Sequence, residues 1–135
     1  MPSKQIACFE NSELKPLIHT IRELKSAGDV KLALLYGSFA NNTQHCRSDI
    51  DVALVFSPVS LDHEIAVMDR ILMSVDRQVS ILRLDDQDES PFVIQAALKG
   101  IHLIEPDQEC YYQVADWALH ESESIKARRQ LIHSK

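Results

Sequence analysis

Apolar residues along the chain alternate between the spacing of helices and the continuous runs of buried strands. Leu14, Leu17, Ile18, Ile21 and Leu24 recur every three or four residues, which lines one face of a helix. Asn11 and Ser12 stand ahead of them as candidate caps and Gly28 behind as a stop. Val30 to Tyr36 is an apolar run broken only by Lys31 and ended by Gly37-Ser38, the pattern of a buried central strand. A short helical turn and a polar loop over 41–48 lead to a second strand from Asp49 to Phe56. Ser57-Pro58 closes that strand, and Ser60 can cap a helix in which Leu61, Ile65, Met68 and Leu72 share one face. That face is expected to be a core stripe.

Arg77 to Leu84 predicts a third strand, ending in the acidic turn Asp85-Asp86-Gln87-Asp88. Ser90-Pro91 opens the next helix and Gly100 stops it. Ile101 to Ile104 predicts a short edge strand, and beyond Pro106 the spacing of Tyr111, Val114, Ala115 and Ala118 predicts a final helix that frays toward Lys135. The order is helix, strand, turn, strand, helix, strand, helix, strand, helix. This is an α/β (α+β) pattern, with a mixed sheet of about four strands packed with helices.

A chain of 135 residues with 45% apolar content suits one domain over 1–135, within the usual range of about 100–150 residues. Its core is expected over about 12–105 and its C-terminal helix over about 107–132. No apolar run approaches the roughly 18–20 residues of a membrane span, and the N-terminus lacks a secretory signal, so a cytoplasmic protein is expected. Cys8, Cys46 and Cys110 are odd in number and far apart, which fits reduced thiols and neither a disulfide framework nor a zinc site. A net charge of -6 argues against direct nucleic-acid binding, which draws on Lys and Arg to neutralise phosphates.

The candidate chemistry lies between the first two strands. Residues two apart on a strand point the same way, so Asp49 and Asp51 project from one face while Ile50, Val52 and Leu54 project from the other. At a separation of about 5 Å and an effective dielectric near 20, the two carboxylates would repel by about 3 kcal/mol. A divalent cation is the natural compensation, and a site with only two carboxylates suits Mg²⁺, which takes its remaining ligands from water and substrate phosphates. Upstream, Gly37 lets the backbone approach a ligand closely, and amides beginning at Ser38 form an anion site if a helical turn starts there. Alone, a Gly-Ser after a strand is usually a turn, and an Asp-x-Asp is usually a strand start. Together they form Gly-Ser, ten residues, then Asp-Ile-Asp between two apolar strands, an arrangement far rarer by chance. The chemistry it suggests is nucleotidyl transfer with pyrophosphate as leaving group.

That pattern resembles the signature of the DNA polymerase beta superfamily of nucleotidyltransferases, matched here at Gly37, Ser38, Asp49 and Asp51. More narrowly, the segment Tyr36 to Leu54 (YGSFANNTQHCRSDIDVAL) and the small size look like the minimal nucleotidyltransferase antitoxins encoded beside HEPN-family ribonuclease toxins. The resemblance covers roughly residues 14–105. It implies the minimal nucleotidyltransferase fold, Mg²⁺ held by Asp49 and Asp51, the triphosphate of ATP held by Gly37 and Ser38, and transfer of AMP to a tyrosine of a HEPN ribonuclease toxin. Two alternatives stand beside this: a weak or inactive relative that masks the toxin by stoichiometric binding, and a small-molecule nucleotidyltransferase, for whose usual helical acceptor-binding domain these residues leave no room.

The sequence departs from the superfamily pattern at two places. A third Asp is usual on the next strand, and Val79-Ser80-Ile81-Leu82 puts Ser80 there; serine cannot take up a proton near neutral pH. Asp76 and Asp85 flank that strand and would need a shifted register or a bent strand to substitute. Small relatives also often carry an Arg soon after the Gly-Ser, where this chain has Asn41 and Asn42. Among the six histidines only His45 falls in the site loop. Trp117, Tyr111 and Tyr112 read equally as a partner anchor or as core, and Lys126, Arg128 and Arg129 as a solvated helix end.

Overall fold

The computed structural model describes residues 9–41, 43–44, 48–57 and 60–133. Cys8, Asn42, His45, Cys46 and Arg47 lie outside the described residues. The elements are α1 (Lys15–Ser26), β1 (Val30–Tyr36), α2 (Gly37–Ala40), β2 (Ile50–Phe56), α3 (Leu61–Leu72), β3 (Val79–Arg83), α4 (Pro91–Leu98), β4 (Ile101–His102) and α5 (Gln108–His133). They follow the order that the periodicity predicts. None of the helices is long and apolar enough to cross a membrane.

The four strands form one mixed sheet in the order β3-β2-β1-β4. β1 is antiparallel to both β2 and β4, and β3 lies parallel to β2 after the α3 crossover. Each face of the sheet buries its own core. On one side Ala33, Leu35, Ile50, Val52 and Leu54 pack with Leu17, Ile21 and Leu24 of α1 and Val67 and Ile71 of α3. On the other, Leu32, Leu34, Ala53, Val55 and Leu82 pack with Ile94 and Ala97 of α4 and Val114 and Ala118 of α5. A bulge between Val30 and Leu32 lets Val30 share the first face with Ala33 despite the two-residue period.

Helix ends show how local chemistry sets the boundaries. Gly28 sits at φ 83°, and the amides of Gly28 and Asp29 reach back to the carbonyls of Lys25 and Leu24 at 2.9 Å each, a Schellman closure that favours glycine. At the other end of α1 the capping position is Leu14, whose side chain is buried. Asn11 instead turns the chain before the helix, its Oδ1 accepting from the Glu13 amide at 2.9 Å. Ser60 caps α3 as expected, its Oγ accepting from the His63 amide at 3.1 Å. Ser90 holds the cap position of α4 without a side-chain bond.

The orientation of α3 corrects the sequence reading. Its buried face is Glu64, Val67 and Ile71, while Leu61 (70% exposed), Ile65 (49%) and Leu72 (40%) face solvent and Met68 is half-buried. Polar tethers fix that rotation. Glu64 pairs with Arg83 of β3, His63 bonds Asp29 at 2.7 Å, and Arg70 pairs with Glu23 of α1 at 3.1 Å. Apolar spacing alone cannot foresee a buried carboxylate anchored on the neighbouring strand.

Candidate functional site

β1 ends at Tyr36, and the chain turns at once through Gly37, at φ 74°, into the four-residue helix α2. A β-carbon built on Gly37 would stand 3.3 Å from the Asp51 Cγ and far inside contact distance of its Oδ2. Glycine is therefore required twice, for its dihedral and for the space the carboxylate takes. By helix geometry the amides opening α2 have no intrahelical acceptor. The loop beyond is tied back by the Thr43 amide, which donates to the Ser38 carbonyl at 2.9 Å.

Asp51 lies on β2 directly opposite Tyr36 of β1 and opposite Ser80 of β3. Ile50 and Val52 are fully buried on the α1/α3 face while Ala53 belongs to the other core, so Asp51 points to the α4/α5 face. Asp49 is exposed just before β2, where Ile50 is fastened by its amide to the Gln78 carbonyl at 2.9 Å. The structure thus brings Gly37, Ser38, Asp49 and Asp51 to one end of the sheet.

The electrostatics at this end fit a cation. Burial, and then the neighbouring Asp49, raise the Asp51 carboxyl above its ordinary pKa. Burial first, then Asp51 and Glu89, raise the Tyr36 phenol, so Tyr36 stays protonated and neutral near Asp51. Among the described residues no third His, Cys, Asp or Glu joins Asp49 and Asp51 in a metal-holding group. A donor set of two carboxylates suits Mg²⁺ that takes its other ligands from water and phosphate.

Ser80 occupies the position paired with Asp51, as the motif spacing implies, and it is exposed. Of the two flanking carboxylates, Asp76 lines the same cleft as Asp49, a cavity of about 790 Å³ bounded also by Glu13, Met73 and Arg77. Asp85 lines a separate cavity with Phe56, past the far end of β2.

Arg77 is a site residue that the sequence did not reveal. Its guanidinium donates to Glu13 through Nε at 2.8 Å, with Nη2 2.6 Å from the same carboxylate oxygen, and through Nη1 to the Ser48 carbonyl at 3.0 Å. It also stacks 5.1 Å from the Phe39 ring centroid. One side chain thereby ties α2, the residue before Asp49 and the approach to α1. No local signal marks it, because the partners come from three separate segments.

The outlying aromatic and basic residues divide. Trp117 and Tyr111 pack partly against the second core, whereas Tyr112 is exposed. Lys126 and Arg129 sit 5.9 and 5.7 Å from the Phe92 ring, which joins α5 to the start of α4 by cation–π contact. Cys110 is a half-buried free thiol whose pKa burial raises.

The sequence profile of the family described as "Polymerase beta, Nucleotidyltransferase" matches residues 19–109. No curated protein sequence gives a significant match. Among solved structures, a toxin–antitoxin with AMP-PNP aligns at TM-score 0.64 and 22% identity, covering 85% of this chain and 94% of the matched one. A toxin–antitoxin MntA-HepT aligns at TM-score 0.59 and 18% identity, covering 87% and 93%. A tri-AMPylated Shewanella oneidensis HEPN toxin in complex with MNT antitoxin aligns at TM-score 0.60 and 19% identity, covering 87% and 93%. At these identities the likeness is one of fold.

Proposed function

The chain belongs to the polymerase beta nucleotidyltransferase family, and within that family we propose that it is a cytoplasmic antitoxin that transfers AMP from ATP to a tyrosine of a HEPN ribonuclease toxin. The observation that carries this reading is the meeting of Asp51 with the Gly37 bend, Asp49 alongside. The likeness of fold to chains from complexes with AMP-PNP and with an AMPylated HEPN toxin supports it.

In this reading Asp49 and Asp51 hold Mg²⁺, and the backbone from Gly37 to Ser38 receives the triphosphate. Bound there, Mg²⁺ supplies neutralisation of phosphate charge and orientation for in-line displacement. The acceptor tyrosine oxygen forms a bond to the α-phosphorus, the bond from that phosphorus to the bridging oxygen breaks, and pyrophosphate leaves with the electron pair. Arg77 keeps α2 and the start of β2 in fixed relation while this occurs. Ser80, paired with Asp51, cannot take up the phenolic proton near neutral pH, so that proton leaves to another acceptor.

Intact-mass analysis tests the assignment. Purified protein with Mg²⁺ and ATP should add one or more AMP masses to a HEPN toxin, and Asp49→Ala with Asp51→Ala should abolish the gain. Ser80 favours a second reading, in which the chain masks the toxin stoichiometrically with little catalysis. Full neutralisation of the ribonuclease without any mass gain would establish that reading instead.

A further inference from the structure

The outer face of α3 has a regular apolar pattern that the proposed reaction does not use and that the fold uses only at Met68, which packs partly against the first core. Leu61, Ile65, Met68 and Leu72 are spaced by four, three and four residues, the repeat with which one helix receives another. Three of the four face solvent and Met68 is half-buried. His63 and Arg70 tether one side of α3 toward Asp29 and α1, while Glu64 reaches Arg83 on β3. The seam is therefore turned away from α1, toward β3, the edge strand of the sheet. At its end Met73, 84% exposed, lines the cleft that holds Asp49 and Asp76.

We propose that this seam, Leu61, Ile65, Met68 and Leu72 running to Met73, is the docking surface for a helix of the protein acceptor, whose hydroxyl-bearing segment then reaches the cleft at Asp49. The inference rests on the protein-AMP-transfer reading and adds to it where the acceptor sits. Continuity with the cleft at Asp49 is the first support, because a body seated on α3 ends at the cavity lined by Met73, Asp49 and Asp76. That cavity lies at the same end of the sheet as Asp51 and Gly37, though Asp51 points to the other face. Charge supplies the second. Asp62 and Asp69, one heptad apart, are exposed along one margin of the seam, and Asp76 is exposed at its end. The nearby cations Arg70 and Arg77 are already paired with Glu23 and Glu13. An acidic margin on a chain of net charge -6 disfavours a second copy of itself and suits a basic partner, which a protein that grips RNA is expected to be. Tyr112 and Leu119, two of the exposed apolar residues of α5, line a different surface that does not include the cleft.

The test uses the full chain, a HEPN ribonuclease toxin, and the variants Ile65→Asp and Leu72→Asp, with Tyr112→Asp and Leu119→Asp for comparison. The α3 variants should lower toxin affinity at least about tenfold, as loss of a central interface anchor does, and slow AMP labelling at limiting toxin. Their binding of Mg²⁺ and ATP alone, and their melting temperatures, should match those of the parent. Asp62→Lys combined with Asp69→Lys, which leaves the apolar seam intact, should also weaken toxin binding and flatten its salt dependence. Unchanged toxin affinity in all α3 variants, or a loss confined to the α5 variants, overturns the proposal. So does sedimentation showing that the chain alone is a dimer that Ile65→Asp splits. If the parent protein binds and labels the toxin while the α3 variants do so equally, only the docking surface is wrong. If the parent neither binds nor labels it, the AMP-transfer reading falls and takes this one with it.

Discussion

The Asp51 carboxylate occupies the space that a side chain on Gly37 would need, its Cγ only 3.3 Å from where that β-carbon would begin. Two motifs separated by ten residues of sequence are thus brought together at the candidate nucleotide site. The carboxylate is pressed against backbone on one side and repelled by Asp49 on the other. A cation bound between acid and phosphate would relieve both.

Gly37→Ala should consequently damage both fold and site. An alanine at φ 74° is strained by about 1–2 kcal/mol before any collision is counted, and its β-carbon would displace the Asp51 carboxylate. Urea denaturation should show a stability loss of at least about 1–2 kcal/mol, and calorimetry should show Mg²⁺–ATP binding reduced at least about tenfold. By contrast Gly28→Ala, where nothing lies within 4 Å of the added carbon, should carry only the dihedral cost and leave ligand binding intact.

Asp51→Asn should trade binding for stability. Its folded pKa is raised above the ordinary 3.8 by burial and then by Asp49. The stabilisation that accompanies protonation is therefore complete below about pH 3.8 and is lost as pH rises through the folded value. At neutral pH the metal-free protein bears the cost. Removing the charge should stabilise it by on the order of 1 kcal/mol after screening at the exposed Asp49, or about 3–5 °C in Tm. The same variant should no longer bind Mg²⁺–ATP, and the parent's affinity should fall as pH is lowered through the raised pKa. A thermal melt without metal, paired with calorimetry across pH, checks both outcomes.

The element order and the site end of the sheet were legible because each rests on local information. Period, punctuation by Gly and Pro, and an i, i+2 pair of carboxylates are all properties of a few consecutive residues. The two-sided burial of β1 and β2 made them continuous apolar runs, and the parity of Ile50 and Val52 placed Asp51 on the opposite face. What the sequence did not disclose depends on distant partners. The rotation of α3 goes with Glu64 being drawn to Arg83 and His63 to Asp29, so three of the four residues of an apolar stripe of correct helical spacing ended in solvent. Arg77 gathers Glu13, Phe39 and Ser48 from three segments, and no spacing rule joins them.

Ser80→Asp should strengthen any catalysis. The position pairs with Asp51 on the adjacent parallel strand, shares its face and is exposed, so a carboxylate fits there without burial. A positioned base typically contributes about 10²–10⁴-fold, and an AMP-labelling rate at least about tenfold above the parent is expected by intact mass over time. The metal-free variant should melt lower than the parent, since a third negative charge joins the pair. An unchanged rate would mean that another group already takes the proton.

His102 predicts loss of stability in mild acid. It lies on β4 with its ring 5.5 Å from that of Tyr111, and its Nδ1 is buried without a hydrogen-bond partner among the described residues. Burial lowers its pKa below the ordinary 6.5. For a histidine held neutral, the stabilisation is complete above about pH 6.5 and is lost as pH falls through the depressed folded value. Tm should therefore drop between about pH 6.5 and 5. His102→Phe should flatten that drop; an equally steep decline in the variant would assign it to other groups.

Arg77→Ala should act on the site without touching a ligand. The substitution removes an ion pair to Glu13, a bond to the Ser48 carbonyl and stacking on Phe39. The Glu13 pair is half-exposed and worth under about 1 kcal/mol, so Glu13→Gln should be mild. The Ser48 carbonyl is part-buried and Phe39 is buried, and losing the cation that serves both should cost about 1–3 kcal/mol in urea denaturation. Arg77→Lys should recover little, because a point charge cannot bond two acceptors and cover a ring at once. If Arg77 positions α2 against the start of β2, ATP affinity should fall in Arg77→Ala and in Arg77→Lys but not in Glu13→Gln, at a temperature where all three remain folded. A destabilised protein with parental ATP affinity would instead confine Arg77 to holding the fold.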